Sequence, residues 1–169
     1  MQLFTTDLVL RTVTIQDLDE IARMWNFFDG GVSLEQARQV LDYITGNHAR
    51  NHAGHLYHLC LAVCRKDAPA IICGWCGLDG KENPQQPEIF VLLQEGFRSK
   101  GYGTQCVTAL LAYAFGEAGI HRVHGGCDKD NIASARMMCK AGMRHYCDSE
   151  NGDPLFIAVD SPDLASLHP

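Results

Sequence analysis

The sequence predicts a mixed α/β fold, of the α/β or α+β class, in which helices cover the faces of one sheet. Short β-rich runs alternate with longer segments of helical periodicity in the order β-α-α-β-β-β-α-β-α-β-β. An antiparallel meander in this order runs into a βαβ unit, whose crossover joins parallel strands. The 169 residues fit a single domain, residues 1–169, that buries roughly 70% of its unfolded surface. We therefore expect a mostly antiparallel sheet with one parallel pair and about four helices.

Each predicted element has its own local signal. The β-rich runs, which predict strands, are residues 8–13, 56–63, 70–78, 88–93, 121–127, 143–147 and 154–159. The segments with apolar residues at helical spacing, which predict helices, are residues 14–25, 33–46, 103–117 and 131–141. Thr14 suits an N-cap, and Ser33 with Gln36 fits a capping box. A turn-rich break at residues 26–31 separates the first two helices.

Composition excludes several classes of protein. The formal net charge of −6 lacks the basic excess that neutralises a phosphate backbone, so we expect no nucleic-acid partner. The N-terminus has no basic region followed by an apolar one, and no apolar run approaches the roughly 18 residues that span a bilayer. We expect a cytoplasmic protein with no membrane partner. Its eight cysteines are then expected to be reduced thiols without structural disulfides.

Residues 94–104 form the chemically distinctive segment, because they join a predicted strand to a predicted helix. The unpaired N–H groups of a helix N-terminus make a ready anion site. Gly101 and Gly103 let the backbone turn tightly and approach a phosphate, while Arg98 and Lys100 add positive charge. The segment therefore suits a diphosphate. The alternative is that the glycines only shape a strand-to-helix turn with a solvated basic rim.

Two motifs in this order resemble one protein family. The pattern RxxGxG at residues 98–103 resembles the acyl-CoA pyrophosphate loop of the GNAT superfamily of N-acetyltransferases. Further along, NxxS at residues 131–134 and KxG at residues 140–142 resemble the ribosomal-protein alanine and serine N-acetyltransferase (RimJ/RimL-like) branch. Glu88, at the start of the preceding strand, also resembles that branch.

The resemblance implies an acetyl-CoA-dependent N-acetyltransferase with no metal, whose acceptor is a primary amine on a protein N-terminus or a small molecule. It implies that the diphosphate is held by backbone N–H groups of Arg98, Ser99, Lys100, Gly101, Tyr102, Gly103 and Thr104. It also implies that the strands 88–93 and 121–127 run parallel and splay apart. The pantetheine arm would pair with the strand end at Val91, Leu92 and Leu93 and contact Asn131.

Direct acetyl transfer needs a neutral amine, an oxyanion donor and a proton for the departing thiolate. An α-amine is neutralised at pH 7 for only about 1 kcal/mol, against roughly 4.6 kcal/mol for a lysine side chain. Glu88 is the candidate base, the alternative being an ordinary edge carboxylate. The resemblance implies that a backbone N–H on a bulged strand near Val91 is the oxyanion donor.

Protonation of the thiolate has a less obvious candidate. Many GNAT enzymes have a tyrosine where this sequence has Met138, which has no proton to donate. Ser134 is the candidate acid, as the resembling branch implies, and its alternative role is a hydrogen bond to its own helical turn. Tyr146 is a further candidate whose position no spacing fixes.

Three features keep other functions open. Met138 in place of tyrosine favours a non-catalytic acyl-CoA-binding module. The CxxC at residues 73–76 suggests a redox protein, although residues three apart on a strand point to opposite faces unless a bulge intervenes. Four histidines within residues 48–58 could gather a metal if they were helical, but Gly54 interrupts them, which favours a histidine-rich loop beside the acceptor site.

The sequence does not identify the acceptor. The acidic surface favours cationic acceptors through electrostatic steering. Nor does any motif give the quaternary state, which leaves a homodimer open.

Overall fold

A computed structural model of the chain describes residues 1–25 and 31–160. The strands in these residues are β1 (Gln2–Phe4), β2 (Leu8–Thr12), β3 (His58–Arg65), β4 (Ala68–Asp79), β5 (Glu88–Leu93), β6 (Arg122–Gly126), β7 (Arg144–Asp148) and β8 (Pro154–Val159). The α-helices are α1 (Leu18–Met24), α2 (Leu34–His48), α3 (Tyr102–Gly116) and α4 (Ile132–Lys140). Except for Gly31, the turn-rich break predicted at residues 26–31 lies outside the described residues.

The described strands form one eight-stranded sheet in the order β1-β2-β3-β4-β5-β6-β8-β7. All neighbouring strands in it are antiparallel except β5 and β6. These two register only at Glu88 and His124 before they diverge. The predicted mixed sheet with one splayed parallel pair is confirmed. The sequence did not predict β1 or the one-turn 3-10 helix Glu95–Phe97, because three residues are too few to show a period.

The sheet is covered on both faces. On the α1–α2 face, Cys60 and Ala62 of β3 pack with Ile21 of α1 and with α2. On the α3–α4 face, Leu59 and Leu61 pack with residues of α3 and α4. Because both faces are buried, β3 reads as a continuous apolar run rather than as an alternating one. Successive side chains still point to opposite faces of the sheet, and in β4 and β5 this decides which face each site residue lies on.

The predicted cap of α2 is present. Ser33 Oγ accepts a hydrogen bond from the Gln36 N–H at 3.2 Å, and Gln36 Oε1 accepts one from the Ser33 N–H at 2.9 Å. This reciprocal pair is a capping box, which satisfies two backbone donors at the start of the helix.

The CxxC segment lies on a bulge of β4. The register between β3 and β4 shifts so that Val63 pairs with Gly74 and Cys64 pairs with Ile72, which leaves Cys73 as an extra residue. As a result, Cys73 and Cys76 both pack on the α3–α4 face, which is the arrangement expected from the sequence only where a bulge intervenes. The eight cysteines all lie within the described residues and are all free thiols.

The chemistry around the CxxC segment does not favour a redox role. Burial raises the pKa of the Cys76 thiol well above its ordinary value, and a hydrogen bond with Cys106 of α3 adds to that effect. A reactive redox cysteine needs a lowered pKa, because the thiolate is the nucleophile.

The four histidines of residues 48–58 are spread over three structural settings. His48 ends α2, His52 and His55 pair across a short turn with their rings 4.7 Å apart, and His58 begins β3. Within residues 1–25 and 31–160, no group of three or more His, Cys, Asp or Glu side chains could hold a metal ion. No described helix is both long and apolar enough to cross a membrane.

Candidate active site

The divergence of β5 from β6 opens a cleft of about 420 Å³ toward the C-terminal ends of the two strands. Ligands of α/β proteins bind at such strand ends. The cleft is lined by Asp79, Glu88, Ile89, Phe90, Val91, Leu92, Val107, Gly126, Cys127, Asn131, Ser134, Met137 and Met138. Five residues selected from the sequence are therefore brought together in one cleft: Glu88, Val91, Leu92, Asn131 and Ser134.

One edge of β5 is open to this cleft. The His124 N–H donates to the Pro87 carbonyl oxygen at 3.0 Å, so the backbone groups of residue 87 face β6. Backbone groups alternate sides along a strand, so those of Ile89, Val91 and Leu93 face the same way. The register with β6 contains only one pair, so no described strand is paired with β5 at Val91 on that side. The Val91 N–H and C=O therefore point into the cleft.

The other edge of β5 is fully paired. The register with β4 runs without a shift from Glu88 opposite Asp79 to Leu93 opposite Gly74. The bulge expected near Val91 is therefore wrong. The cleft results from the divergence of β6 and leaves β5 regular.

The N-terminus of α3 follows the end of β5 and carries unpaired donors. Gly101 is its N-cap in the left-handed region, with φ 78°. The first helical hydrogen bond runs from the Gln105 N–H to the Gly101 oxygen at 3.1 Å, so the N–H groups of Tyr102, Gly103 and Thr104 have no helical acceptor. Within the part of the chain that the structure describes, no side chain caps this terminus. The positive end of a helix dipole and three unpaired donors are the features that anions bind in proteins.

The basic side chains of the loop are arranged around this terminus. Arg98 Nε donates to the Leu93 carbonyl oxygen at 2.9 Å, which fixes the loop to the open edge of β5. The Lys100 ammonium lies 5.6 Å from the centroid of the Phe97 ring. Ser99 takes φ 61°, so two residues of this short loop, Ser99 and Gly101, have left-handed backbone. The predicted loop 98–104 thus stands beyond the cleft lining, at the end of β5.

Gly103 has a different structural role from Gly101. A Cβ at Gly103 would lie 2.4 Å from Met137 Sδ of α4, whereas nothing lies within 4 Å of one at Gly101. Gly103 therefore allows α3 and α4 to pack closely, and Gly101 supplies the left-handed turn.

The α4 side of the cleft is built on Asn131. Its Oδ1 accepts a hydrogen bond from the Ser134 N–H at 3.1 Å, which caps the helix and leaves the amide NH2 for a ligand. Ser134 is half-buried and lies beside the Cys127 thiol, whose Sγ donates to the Asn131 carbonyl oxygen at 3.8 Å. Burial raises the pKa of that thiol, and the Ser134 hydrogen bond partly opposes the rise. Met138 is buried in the same wall. Sequence reasoning missed Cys127, since no motif marks it.

The opposite side of the cleft contains carboxylates. Phe90 packs with the α1–α2 cluster, so Glu88 and Leu92, two positions away along β5, face that side as well. Asp79 of β4 registers with Glu88 and shares its face. The Glu88 side chain is exposed, and no hydrogen bond or ion pair among the described residues involves its carboxylate. Asp79 was missed because it becomes a neighbour of Glu88 only through strand pairing.

Tyr146 lies outside the cleft lining. Its ring is 6.4 Å from the His124 ring, on the far side of Glu88 from Asp79. The structure therefore does not bring Tyr146 together with Ser134.

Comparison with known proteins identifies a family that the sequence matches. Residues 7–144 match the Acetyltransferase (GNAT) domain. The Uncharacterized N-acetyltransferase YnaD of Bacillus subtilis (strain 168) is 39% identical over 57 residues, 34% of each chain, so the match spans about a third of that relative.

Solved structures share the fold at low sequence identity. The ribosomal-protein-S5-alanine acetyltransferase of Vibrio fischeri has a TM-score of 0.79 at 16% identity, covering 96% of this chain and 98% of that one. RimL, a ribosomal L7/L12 α-N-protein acetyltransferase solved in complex with coenzyme A, has a TM-score of 0.71 at 17% identity over 94% and 98% of the two chains. With the family match extending over most of the sequence, the chain belongs to the GNAT acetyltransferase family.

Proposed function

We propose that the chain transfers the acetyl group of acetyl-CoA directly to a primary amine. The observation that carries the proposal is the continuity of two unpaired backbone surfaces. The open edge of β5 at Val91 leads to the uncapped N-terminus of α3, with no side chain capping the terminus. A strand-like arm that ends in a diphosphate fits this path, because the edge offers strand pairing and the terminus binds anions.

The residues that would hold acetyl-CoA follow from this path. The diphosphate would accept hydrogen bonds from N–H groups of residues 98–104, of which those of residues 102–104 have no helical acceptor. The pantetheine amides would pair with β5 at residues 91–93 and with the Asn131 amide. The thioester supplies the acetyl group when it is bound. The Val91 N–H then donates to the oxygen that becomes negatively charged, a contribution of about 2.7–4 kcal/mol for such donors.

The proton transfers fall to the two sides of the cleft. Glu88, exposed and without an internal partner among the described residues, accepts the proton of the incoming amine directly or through water. Ser134 donates a proton to the departing thiolate and takes one back from water, while Glu88 returns the proton of the amine to water. The nearness of Ser134 to the Cys127 thiol supports this role. Met138 cannot take this part, because a thioether carries no proton.

The acceptor is a protein N-terminus or a small-molecule amine. An α-amine is the easier substrate, since about 1 kcal/mol suffices to neutralise it at pH 7. The names of the structural neighbours, which act on ribosomal proteins, agree with an N-terminal acceptor and identify none for this chain.

The test is release of coenzyme A from acetyl-CoA in the presence of a panel of amines, with mass spectrometry of each acceptor. We expect amine-dependent release that Glu88→Gln lowers by about 100-fold or more in kcat/KM. The thermal shift caused by acetyl-CoA should be unchanged in that variant. Glu82→Gln, an equal change of charge in the exposed loop before β5, is the matched control.

Two results would contradict the proposal. A protein that is stabilised by acetyl-CoA but turns over no amine would be the non-catalytic acyl-CoA-binding module. A folded protein that shows no thermal shift with acetyl-CoA or coenzyme A would also contradict the assignment of acetyl-CoA as the acetyl donor.

A further inference from the structure

Four neighbouring strands place an ionisable side chain at one level of the sheet. His58 of β3 registers with Asp79 of β4, Asp79 with Glu88 of β5, and Glu88 with His124 of β6. Residues directly opposite one another in a sheet share a face. The row crosses the sheet where β5 and β6 begin to separate, on the side away from α3 and α4.

The two carboxylates at the centre of this row are close neighbours. The Cβ atoms of directly opposed residues are about 4.5–5.5 Å apart, and like charges at such positions are destabilising. Asp79 and Glu88 nevertheless both line the same cleft. Acetyl transfer to a single amine needs one base, so a second carboxylate at this point is more than the chemistry requires.

No lysine or arginine side chain of the described residues forms an ion pair with either carboxylate. Among the ion pairs of residues 1–25 and 31–160, Asp79 meets only His58, whose Nδ1 lies 3.6 Å from Asp79 Oδ1, and Glu88 meets none. The other contact of Asp79 is to a neutral group, since its Oδ1 accepts the Lys81 backbone N–H at 2.9 Å.

His58 is built to remain neutral. It is 7% exposed, and neither ring nitrogen has a hydrogen-bond partner in the described structure. Its ring stacks on Phe90, with centroids 6.0 Å apart, and meets Tyr43 of α2 at 5.2 Å. Burial lowers the pKa of His58, although Asp79 partly opposes the shift.

His124, at the other end of the row, adds no charge at neutral pH. Burial lowers its pKa, and the nearby Arg122 adds to that effect. Its Nε2 lies 3.1 Å from Gln86 Oε1. Glu88 is therefore flanked by a carboxylate on one side and a neutral imidazole on the other.

We propose that Asp79 binds the acceptor, and that the acceptor is a dication with a second ammonium or guanidinium group a few bonds from the reacting amine. The inference rests on the proposed function, which assigns Glu88 to the reacting amine. Asp79 then binds the second positive charge, which offsets the repulsion between the two carboxylates. A buried, neutral His58 behind Asp79 keeps that carboxylate uncompensated until the acceptor arrives.

The test compares putrescine with butylamine, which match in chain length and differ in the second charge. We expect kcat/KM to favour putrescine by about tenfold or more, equivalent to about 1.4 kcal/mol. Asp79→Asn should remove the preference, so that the kcat/KM values of putrescine and butylamine in that variant lie within about twofold of each other. The kcat/KM of Ala-Lys amide, compared with that of Ala-Met amide, measures the effect of the second charge in a peptide acceptor. Compared with that of putrescine, it shows whether a basic N-terminal peptide or a small diamine is the better acceptor.

Two further variants guard against indirect effects. Asp79→Glu retains the charge and should retain the preference, which separates a binding role from a folding defect. Glu82→Gln changes the net charge equally in the adjacent loop and should leave the preference intact. Equal kcat/KM for putrescine and butylamine, or a preference that survives Asp79→Asn, would overturn the inference while the proposed function stands.

A calorimetric titration separates the inference from the proposed function. If no amine releases coenzyme A, the proposed function fails, and putrescine and butylamine are titrated into the protein saturated with coenzyme A. Tighter binding of putrescine that Asp79→Asn abolishes supports the dication site, and equal binding overturns it.

Discussion

The two walls of the cleft are made of different chemical groups. The wall toward α3 and α4 offers backbone N–H groups, at Val91 and at the start of α3, together with apolar side chains such as Met138. The wall toward α1 and α2 offers the carboxylates of Asp79 and Glu88, with His58 beside them. The binding groups of the first wall are set by the path of the backbone, and those of the second wall are set by the side chains that strand pairing brings together.

This difference suggests that the two walls serve different parts of the proposed reaction, one holding the cosubstrate and the other the acceptor. Backbone groups can hold the diphosphate and amide arm of a cosubstrate whatever the acceptor is. Side chains on two strands can be substituted without changing the fold, so the proposals above assign acceptor choice to the α1–α2 side. Variants that act on one wall and leave the other intact test this division.

The largest effect is expected from Val91→Pro. Proline removes the N–H that points into the cleft and leaves the pairing with β4 intact, because that N–H is on the open side of β5. We expect kcat to fall by about 100- to 1,000-fold, as for the loss of an oxyanion donor. Steady-state kinetics with a saturating amine measures the loss.

Val91→Ala is the control, since it shortens the side chain and keeps the N–H. It should retain most of the activity of wild type. Equal losses in the two variants would mean that the Val91 side chain matters and its backbone N–H does not. The α3–α4 wall would then not act through backbone donors. Thermal unfolding of both proteins shows whether each remains folded.

A smaller effect is expected from Gly103→Ala, which addresses the packing of the α3–α4 wall. The new Cβ would meet Met137 Sδ at 2.4 Å, and we expect a net loss of about 1 kcal/mol in the free energy of unfolding. Gly116→Ala, at a helical position with nothing within 4 Å, should be neutral or stabilising by about 0.5–1 kcal/mol. Urea titrations give both values.

The double variant with Met137→Ala sharpens this result. Removing the obstructing side chain should make the pair less destabilised than the sum of the single changes, as expected for residues in contact. If Gly103→Ala instead weakens coenzyme A binding without loss of stability, the glycine serves the approach of the diphosphate.

The same division explains what the sequence could predict. The order of strands and helices and the capping box of α2 follow from local patterns, and the structure agrees with their placement. Asp79 carries no local signal, because its meaning comes from a register with Glu88 nine positions along the chain. The bulge at Cys73 was named only as a condition for a similar reason, since a bulge is set by the partner strand and has no mark of its own in the sequence.

The smallest effect concerns pH and the α1–α2 wall. Because the folded-state pKa of His58 lies below the unfolded value near 6.5, the unfolded chain binds more protons between these two values. The stability due to neutral His58 is therefore fully present above about pH 6.5 and is lost as the pH falls through the folded-state pKa. Its slope is at most about 1.4 kcal/mol per pH unit.

His58→Phe isolates this contribution, because phenylalanine keeps the ring packing against Phe90 and does not titrate. Urea unfolding at about pH 7.5 and 5.5 should show a smaller loss in the variant than in wild type. A residual loss is expected from His48 and His124, whose pKa values burial also lowers.

Below the folded-state pKa of His58, its protonated ring would compensate the charge of Asp79. Any preference for a dicationic acceptor should therefore weaken with acid while coenzyme A binding does not. Identical pH slopes in the two proteins would mean that folding does not lower the pKa of His58.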